Sequence, residues 1–476
     1  MTNVPSRSAR ADNISEEFFV TDTVYDLVIL GAGSGGYAAA LRGAQLGLRV
    51  ALIEADKIGG TCLHRGCVPT KAILHSAETA EAVREAAAVG VRAAYQGLDM
   101  PAVQRYKNGV ISRMYKGLQG LVASRGIEVV GGWGRLVARD TVEVSGRRYR
   151  GRNIVLATGS LSKTMGQEIS GPVMTSDQAL ELDRVPASAV VLGGGVIGVE
   201  LASAWASMGS QVTIIEALPH LVPNEDEAIS KQLERAFRKR RIAFRTSTMF
   251  ESVERTAAGV TVRTADGRTH DAEVLLIAVG RGPATANLGY EEVGVAMDRG
   301  FVLTDDYGRT NVEGVWAVGD IVPGVQLAHR GFAQGITVAE KIAGLDPRPV
   351  DDALVPKVTF CEPEIASVGL SEARAAELHG AENVTTSEFN VAGNAKSQIL
   401  GTQGFVKLVS LKGGPIVGFH AIGARMGEQV GEGQLIVSWE ADAHDVASLV
   451  HAHPTQNETI GEAAMVLAGK PLHNHG

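Results

Sequence analysis

The sequence has few cysteines, no excess of basic residues and no long hydrophobic run. Three cysteines among 476 residues are too few for the disulfide framework of a secreted scaffold. A formal net charge of -8 argues against a general nucleic-acid-binding role, which needs a basic surface. No apolar stretch reaches the ~18 residues that a membrane span requires. These absences favour a cytoplasmic protein.

Residues 1–22 also lack the features of a targeting segment. They are polar and include acidic residues, whereas a secretory signal has a basic start followed by an apolar core. We expect them to form a disordered tail. The rest of the chain is long enough for two to four domains. Its 57 glycines cluster in loops after apolar runs, as they do in phosphate-binding turns.

Cys62 and Cys67 stand close together in a segment that also contains Pro69. Proline is tolerated in a first helical turn, and a thiolate at a helix N-terminus has a lowered pKa and is reactive at neutral pH. The segment predicts a redox-active disulfide. The spacing alone is also compatible with two metal ligands or two inert buried thiols. A structural zinc site requires a second ligand pair, which is missing although His64 and His75 lie nearby.

A glycine-rich turn follows the first apolar run. Residues 25–30 predict a strand, a helical pattern comes after the turn, and a second strand ends at Glu54. In this context, Gly31 allows the tight turn, Gly33 lets the backbone approach a pyrophosphate, and Gly36 lets helix and strand pack closely. Glu54 suits the ribose hydroxyls. A glycine-rich turn that binds nothing is the less favoured alternative, because the whole context is present.

The same pattern occurs a second time. A strand over residues 189–192 leads into Gly193, Gly195 and Gly198, and the next strand ends at Glu216 with the spacing of the first copy. This internal repeat predicts two bound dinucleotides, most simply a flavin and a nicotinamide. No arginine follows Glu216 directly, and its carboxylate would repel a 2′-phosphate, so NAD is favoured over NADP.

Further buried strands end in turns after residues 152–160 and 274–280. Another strand ends at Asp320, where a carboxylate is well placed for a sugar or ribityl hydroxyl. Asp320 also suits the N-cap of the helix that begins near Ala328.

A proline-rich, acidic stretch at residues 347–356 marks a domain boundary. The chain beyond it alternates strands and helices without another nucleotide motif, which predicts an α+β interface domain. His453 and Glu458 are suited to act as a base and its orienting carboxylate, although two such residues in a chain with 12 histidines are weak support alone. Cys361 is expected to be a buried bystander.

Together, the cysteine segment, the two ordered glycine motifs, the Gly319-Asp320 turn and the His-x-His-Pro-Thr-x-x-Glu segment resemble the flavoprotein disulfide reductases, the pyridine nucleotide-disulfide oxidoreductase family. The resemblance covers nearly the whole chain. It implies an α/β fold with two Rossmann-like dinucleotide-binding domains, one inserted in the other, and a C-terminal α+β dimerisation domain. The implied boundaries are residues 23–160 and 282–352 for the FAD-binding domain, 161–281 for the NAD-binding domain and 353–476 for the interface domain.

The resemblance also implies a reaction. Protein-bound dihydrolipoyl groups of 2-oxo-acid dehydrogenase complexes would be oxidised, and NAD reduced, through a Cys62–Cys67 disulfide and FAD. Cys62 would exchange with substrate, and Cys67 would lie against the flavin. His453 would take the thiol proton and, with Glu458, would come from the partner subunit of a homodimer. The implied protein partners are a lipoyl-bearing E2 acyltransferase or a glycine-cleavage H protein.

The cofactor contacts implied by the resemblance fall into two sets, and no metal site is expected. For FAD they are Gly31, Gly33, Gly36, Glu54, Lys71, Thr158, Gly159, Asp320 and Ala328. For NAD they are Gly193, Gly195, Val196, Ile197, Gly198, Glu200, Glu216, Gly280 and Arg281. Glu200 is also expected to pair with Lys71.

The sequence departs from the family pattern between the cysteines, where His64 replaces a neutral amide. This change either tunes the disulfide or has no effect. Three alternatives stay open: a reductase of another small disulfide, a quinone reductase, and a nucleotide-binding regulatory subunit that uses the disulfide as a sensor. The first usually carries arginines for NADP near the position of Glu216, and the last would not need Cys62, Cys67, Lys71, His453 and Glu458 together.

Overall fold

The structure is a computed structural model that describes residues 19–474. Most of the expected tail, residues 1–18, therefore lies outside the described residues. The tail was expected to reach residue 22, whereas the first strand begins at Phe19. The reason is long-range pairing, because the backbone of Phe19 and Val20 lies beside Arg147 and Arg148.

The first part of the chain forms a mixed sheet covered by helices. The strands of this part of the chain are β1 (Phe19–Leu30), β2 (Val50–Glu54), β3 (Glu128–Gly131), β4 (Gly134–Ala138), β5 (Thr141–Val144), β6 (Arg147–Leu156) and β7 (Ser160–Ser162). All but β7 belong to the sheet. Its helices are α1 (Ser34–Gln45), α2 (Gly60–Arg65), α3 (Cys67–Glu85) and α4 (Met100–Ser124). The sheet order is β3-β2-β1-β6-β5-β4, and β3, β2, β1 and β6 run parallel. Leu27, Val28 and Ile29 are fully buried, as expected for a parallel strand with both faces covered.

The second part of the chain contains a separate parallel sheet and a smaller antiparallel sheet. Its strands are β8 (Val173–Met174), β9 (Ser188–Leu192), β10 (Gln211–Ile215), β11 (Ala243–Arg245), β12 (Phe250–Thr256), β13 (Gly259–Thr264), β14 (Thr269–Ala272), β15 (Val274–Ile277) and β16 (Arg281–Pro283), with helices α5 (Ser176–Ala179), α6 (Val196–Met208) and α7 (Glu227–Lys239). The parallel sheet has the order β11-β10-β9-β15-β8, and β12, β13 and β14 form an antiparallel sheet.

The chain then returns to the first sheet. The next elements are β17 (Met297–Asp298), β18 (Phe301–Val302), β19 (Val315–Ala317) and α8 (Ala328–Ile342). β19 pairs in parallel with β6, and β16 pairs with β7 where the chain leaves and re-enters the first sheet. The second parallel sheet is thus inserted in the first, which confirms the expected fold class.

The C-terminal part is an antiparallel sheet packed against helices. It contains β20 (Lys357–Thr359), β21 (Glu364–Gly369), β22 (Val384–Asn390), β23 (Phe405–Leu411) and β24 (Ile416–Gly423), with α9 (Glu372–His379), α10 (Ala395–Leu400), α11 (Met426–Ser438), α12 (Ala443–Ala447) and α13 (Glu458–Leu467). The order is β20-β21-β24-β23-β22. Val406, Leu408 and Phe419 are fully buried in its own core. Short 3₁₀ turns lie at Ala86–Val89, Gly319–Ile321, Asp352–Leu354, Ala381–Asn383 and Val391–Gly393.

Within residues 19–474, no helix combines the length and the apolar character that crossing a bilayer takes.

Candidate active site

In the first glycine-rich turn, the first and the last glycine have no room for a side chain. Gly31 has φ +101°, and a Cβ there would lie 2.3 Å from the carbonyl oxygen of Ala157. A Cβ at Gly36 would lie 1.9 Å from the carbonyl oxygen of Gly31. At Gly33, by contrast, a Cβ would meet nothing within 4 Å. The middle glycine therefore faces open space, whereas the outer two are required by packing.

The second turn has the same geometry. A Cβ at Gly193 would lie 2.4 Å from the carbonyl oxygen of Ala278, and one at Gly198 would lie 1.9 Å from that of Gly193. Gly195 again faces open space. Each turn precedes a helix of 12 or 13 residues, α1 or α6, whose N-terminal N–H groups favour an anion. Both turns thus leave the space that a pyrophosphate would need.

The acidic residues of the two repeats are also held alike. Glu54 accepts the Ala32 N–H at 2.7 Å, and Glu216 accepts the Gly194 N–H at 2.6 Å. The other oxygen of each carboxylate accepts a second backbone N–H, at 2.9 Å and 2.7 Å. A carboxylate has about four acceptor sites, so each acid retains capacity for ribose hydroxyls. The chain's own residues therefore suit two dinucleotides.

One cavity of about 1540 Å³ contains both turns and the cysteine pair. Most of the residues that the resemblance assigns to cofactors or catalysis line this cavity. Four of them do not: Gly36 and Gly198, which pack behind the turns, and His453 and Glu458.

The two cysteines lie in consecutive helices next to the first glycine-rich turn. Cys62 lies in α2 and Cys67 is the first residue of α3. The Gly59 N–H donates to the carbonyl of Ala32 at 2.8 Å, and a Cβ at Gly60 would lie 2.7 Å from Cα of Gly33. The cysteine segment is therefore packed directly against the first glycine turn.

Both cysteines are free thiols in this structure. The Cys62 thiol donates a hydrogen bond to Cys67, which raises the pKa of Cys62. This hydrogen bond, assisted by the charge of Lys71 and opposed by desolvation, lowers the pKa of Cys67 to about 7. Of the two thiols, Cys67 thus has the lower pKa, and it lies at the N-terminus of α3, where a thiolate is favoured.

Lys71 lies one helical turn beyond Cys67 and forms an ion pair with Glu200. Its Nζ lies 3.0 Å and 2.9 Å from the two carboxylate oxygens. The side chain of Glu200 is only 4% exposed and that of Lys71 33%. This is the pairing that the resemblance implies, and it joins α3 to α6.

Asp320 and Arg281, expected at different cofactors, share one partner. The Ser160 hydroxyl donates to Oδ2 of Asp320 at 2.5 Å, and the Arg281 Nε donates to the same hydroxyl at 2.8 Å. Arg281 also donates to the Ser160 carbonyl at 2.6 Å. Arg281 thus braces the strand pair β7 and β16, where the chain passes between the two parallel sheets.

His453 and Glu458 form a pair of their own in the C-terminal part. Nδ1 of His453 lies 2.8 Å from Oε1 of Glu458, and the Thr455 N–H donates to Oε2 at 2.8 Å. The His453 side chain is 71% exposed. The structure brings base and carboxylate together but does not bring them to the cysteine pair of the same chain.

His64 is fixed by contacts outside the cysteine pair. Its Nε2 donates to the carbonyl of Ile58 at 2.9 Å, and its ring packs edge-on against Tyr115 of α4 at 5.0 Å. These contacts anchor α2 to its surroundings.

Several residues of the site are absent from the sequence predictions, and three of them stand out. Trp133 and Lys357 line the cavity, and Phe360 contacts both Lys71 and Glu200. The Gly-Trp-Gly segment at residues 132–134 was a usable signal for the first. The other two come from β20 and the residue after it, and their placement depends on how distant parts of the chain pack. No group of three or more metal-ligating side chains occurs within the described part of the chain.

Comparison with known proteins gives concordant matches. Residues 25–335 match the family described as pyridine nucleotide-disulphide oxidoreductase, and residues 355–464 match its dimerisation domain. A dihydrolipoyl dehydrogenase of Bacillus subtilis is 37% identical over 95% of this chain and 99% of its own length. A mitochondrial dihydrolipoyl dehydrogenase of Arabidopsis thaliana is 36% identical, over 94% and 91%. The crystal structure of LpdA from Mycobacterium tuberculosis superposes with a TM-score of 0.86 at 27% identity, covering 93% of this chain and 99% of that one.

Proposed function

The chain belongs to the pyridine nucleotide-disulphide oxidoreductase family, and we propose that it oxidises protein-bound dihydrolipoyl groups and reduces NAD. The observation that carries this proposal is the full-length similarity to dihydrolipoyl dehydrogenases, combined with a cavity that contains a cysteine pair and two dinucleotide turns. FAD, when bound, supplies the two-electron chemistry that links a dithiol to a nicotinamide.

The cofactor sites are proposed from the two repeats. FAD would be held at the Gly31–Gly36 turn, by Glu54 and by Asp320, and NAD at the Gly193–Gly198 turn and by Glu216. The open space beside Gly33 and Gly195 supports both assignments. Glu216 favours NAD, since a carboxylate already placed at the ribose would repel a 2′-phosphate.

The exchange reaction is proposed to use the cysteine pair in its disulfide form. A dihydrolipoyl thiolate attacks Sγ of Cys62, the Cys62–Cys67 bond breaks, and Cys67 leaves as a thiolate. The second substrate thiol then attacks the mixed disulfide, which closes the lipoyl ring and releases Cys62. A leaving thiolate of low pKa accelerates such exchange, and the lowered pKa of Cys67 supports its assignment as leaving group.

His453 is proposed to accept the proton of the attacking thiol. Glu458 holds the imidazole through Nδ1, so that Nε2 is left as the base. Because His453 is exposed and lies away from the cavity of its own chain, it is assigned to the site of the partner subunit.

Residues 355–464 match the dimerisation domain of the family, which supports the proposal that the chain forms a homodimer. The proposal adds that each active site is shared between subunits. Two large apolar side chains of this part of the chain are exposed, Trp439 at 75% and Val450 at 99%, and burial of such surface would favour an interface. The proposed macromolecular substrates are lipoyl-bearing E2 acyltransferase or glycine-cleavage H protein, in a reducing cytoplasm where a cysteine pair can cycle.

The proposal is tested by turnover of the purified, FAD-loaded protein. Dihydrolipoamide should support rapid reduction of NAD and little reduction of NADP. Absence of NAD reduction, with turnover of another small disulfide or a quinone by a reduced nicotinamide, would replace the substrate and retain the family.

A further inference from the structure

The position of the Lys71 ammonium matters for the cysteine pair. Its charge lowers the pKa of Cys67, and that effect depends on distance. A lysine side chain has a long flexible stem and a compact charge, so helix α3 alone does not fix where Nζ lies. The carboxylate of Glu200 holds Nζ on one side, at 2.9 Å.

Phe360 contacts both members of this ion pair. Its ring centroid lies 4.6 Å from Nζ of Lys71, inside the range of about 6 Å over which a ring face attracts a cation. Its backbone N–H donates to Oε1 of Glu200 at 2.9 Å. Phe360 directly follows β20, so this contact joins the C-terminal domain to Lys71 of α3.

We propose that Phe360 is a positioning residue, which fixes the Lys71 ammonium beside the redox pair and so sets the reactivity of Cys67. The inference rests on the proposed function in that Cys67 is half of a redox centre. The ring and the backbone N–H act on different partners, so a side-chain substitution removes the contact with Lys71 and leaves the N–H to Glu200 in place. The groups that act on Cys67 are Cys62, Lys71 and Glu200, and Tyr37 is also electrostatically linked to it.

The test is the rate of alkylation of Cys67 against pH in the reduced, FAD-loaded dimer, with the labelled peptide identified by mass spectrometry. Phe360→Leu should shift the profile to higher pH. At pH values below the midpoint, the alkylation rate should fall about threefold, the change expected from losing one ring–cation contact. Phe360→Tyr retains a ring and should restore the wild-type profile. In a Lys71→Met background, Phe360→Leu should have no further effect, because no cation remains for the ring to hold.

A matched control is available in another part of the chain. Phe244 lies 4.6 Å from the guanidinium of Arg238, so Phe244→Leu removes a contact of the same length and kind away from the cysteines. It should leave the Cys67 profile unchanged. A wild-type profile in Phe360→Leu, even with a lower melting temperature, would overturn the positioning role. If Phe360→Leu does not fold, Phe360→Met carries the same expectation. Because alkylation uses no dihydrolipoyl substrate, this outcome is separate from failure of the proposed turnover.

Discussion

Nδ1 of His453 lies 2.8 Å from Oε1 of Glu458. The carboxylate can only accept, so Nδ1 carries the hydrogen, and in a neutral imidazole Nε2 is then the acceptor. Glu458 is itself fixed, because its other oxygen accepts the Thr455 N–H. Desolvation opposes ionisation of Glu458, but Thr455 and His453 outweigh it and hold the pKa of Glu458 below its ordinary value. This geometry suits the proposed role of His453 as a general base.

Replacing His453 by Gln should reduce turnover with dihydrolipoamide about 100-fold or more, the usual contribution of a positioned general base. FAD content should not change, because His453 is not among the residues proposed to hold FAD. Steady-state kinetics and flavin absorbance measure the two quantities. His444→Gln is the control, since His444 is exposed on α12. Wild-type turnover in His453→Gln would remove His453 from the mechanism.

Substitution of the middle glycine of each turn should weaken the binding of one cofactor only. Gly33→Ala should fold normally, because its Cβ meets nothing within 4 Å, yet weaken FAD binding about tenfold or more by filling the space for the pyrophosphate. Gly195→Ala should weaken NAD binding and leave FAD content intact. Titration of each variant with FAD and with NADH distinguishes them. Equal effects of both variants on both nucleotides would contradict the two-site assignment.

Glu216→Ala should raise the KM for NAD by about tenfold, because hydrogen bonds to a charged group are lost. FAD content should stay at the wild-type level, since Glu54 is untouched. The ratio of kcat/KM for NAD to that for NADP should fall, because the carboxylate no longer repels a 2′-phosphate. Glu227→Gln, at an exposed position of α7, is the control. An unchanged ratio would mean that Glu216 does not select the nucleotide.

The reduced pair should titrate near neutrality. The pKa of Cys67 is lowered to about 7 and that of Cys62 is raised, so above pH 7 the thiolate is the main form of Cys67, and below pH 7 the thiol predominates. Ultraviolet thiolate absorbance of the reduced protein should therefore rise with a midpoint near pH 7. Cys67→Ser should abolish that transition. If it persists in Cys67→Ser and disappears in Cys62→Ser, the thiolate is assigned to the wrong cysteine.

The nucleotide turns were predictable because their constraints are local. Gly31 and Gly36 are excluded from carrying a side chain by atoms of their own turn and of one neighbouring strand. Glu54 accepts N–H groups from its own loop and the adjacent turn. A strand, three spaced glycines, a helix and an acid were therefore enough to predict this geometry in both copies.

The contacts of Phe360 were not predictable in this way. Phe360 meets Lys71 because β20, nearly 300 residues later in the sequence, packs beside α3 and α6. The early start of β1 has the same origin, since Phe19 pairs with Arg147 of β6. Such contacts depend on tertiary packing, which neither hydrophobic periodicity nor a short motif predicts.

The most direct test of the central claim follows the thiols themselves. The oxidised, FAD-loaded protein is mixed with dihydrolipoamide in the absence of NAD, and free thiols are trapped with an alkylating reagent and mapped by mass spectrometry. Label should appear at Cys62 and Cys67, should be lost again if NAD is added before trapping, and should not change at the buried Cys361. NAD reduction without any labelling of Cys62 or Cys67 would contradict the account.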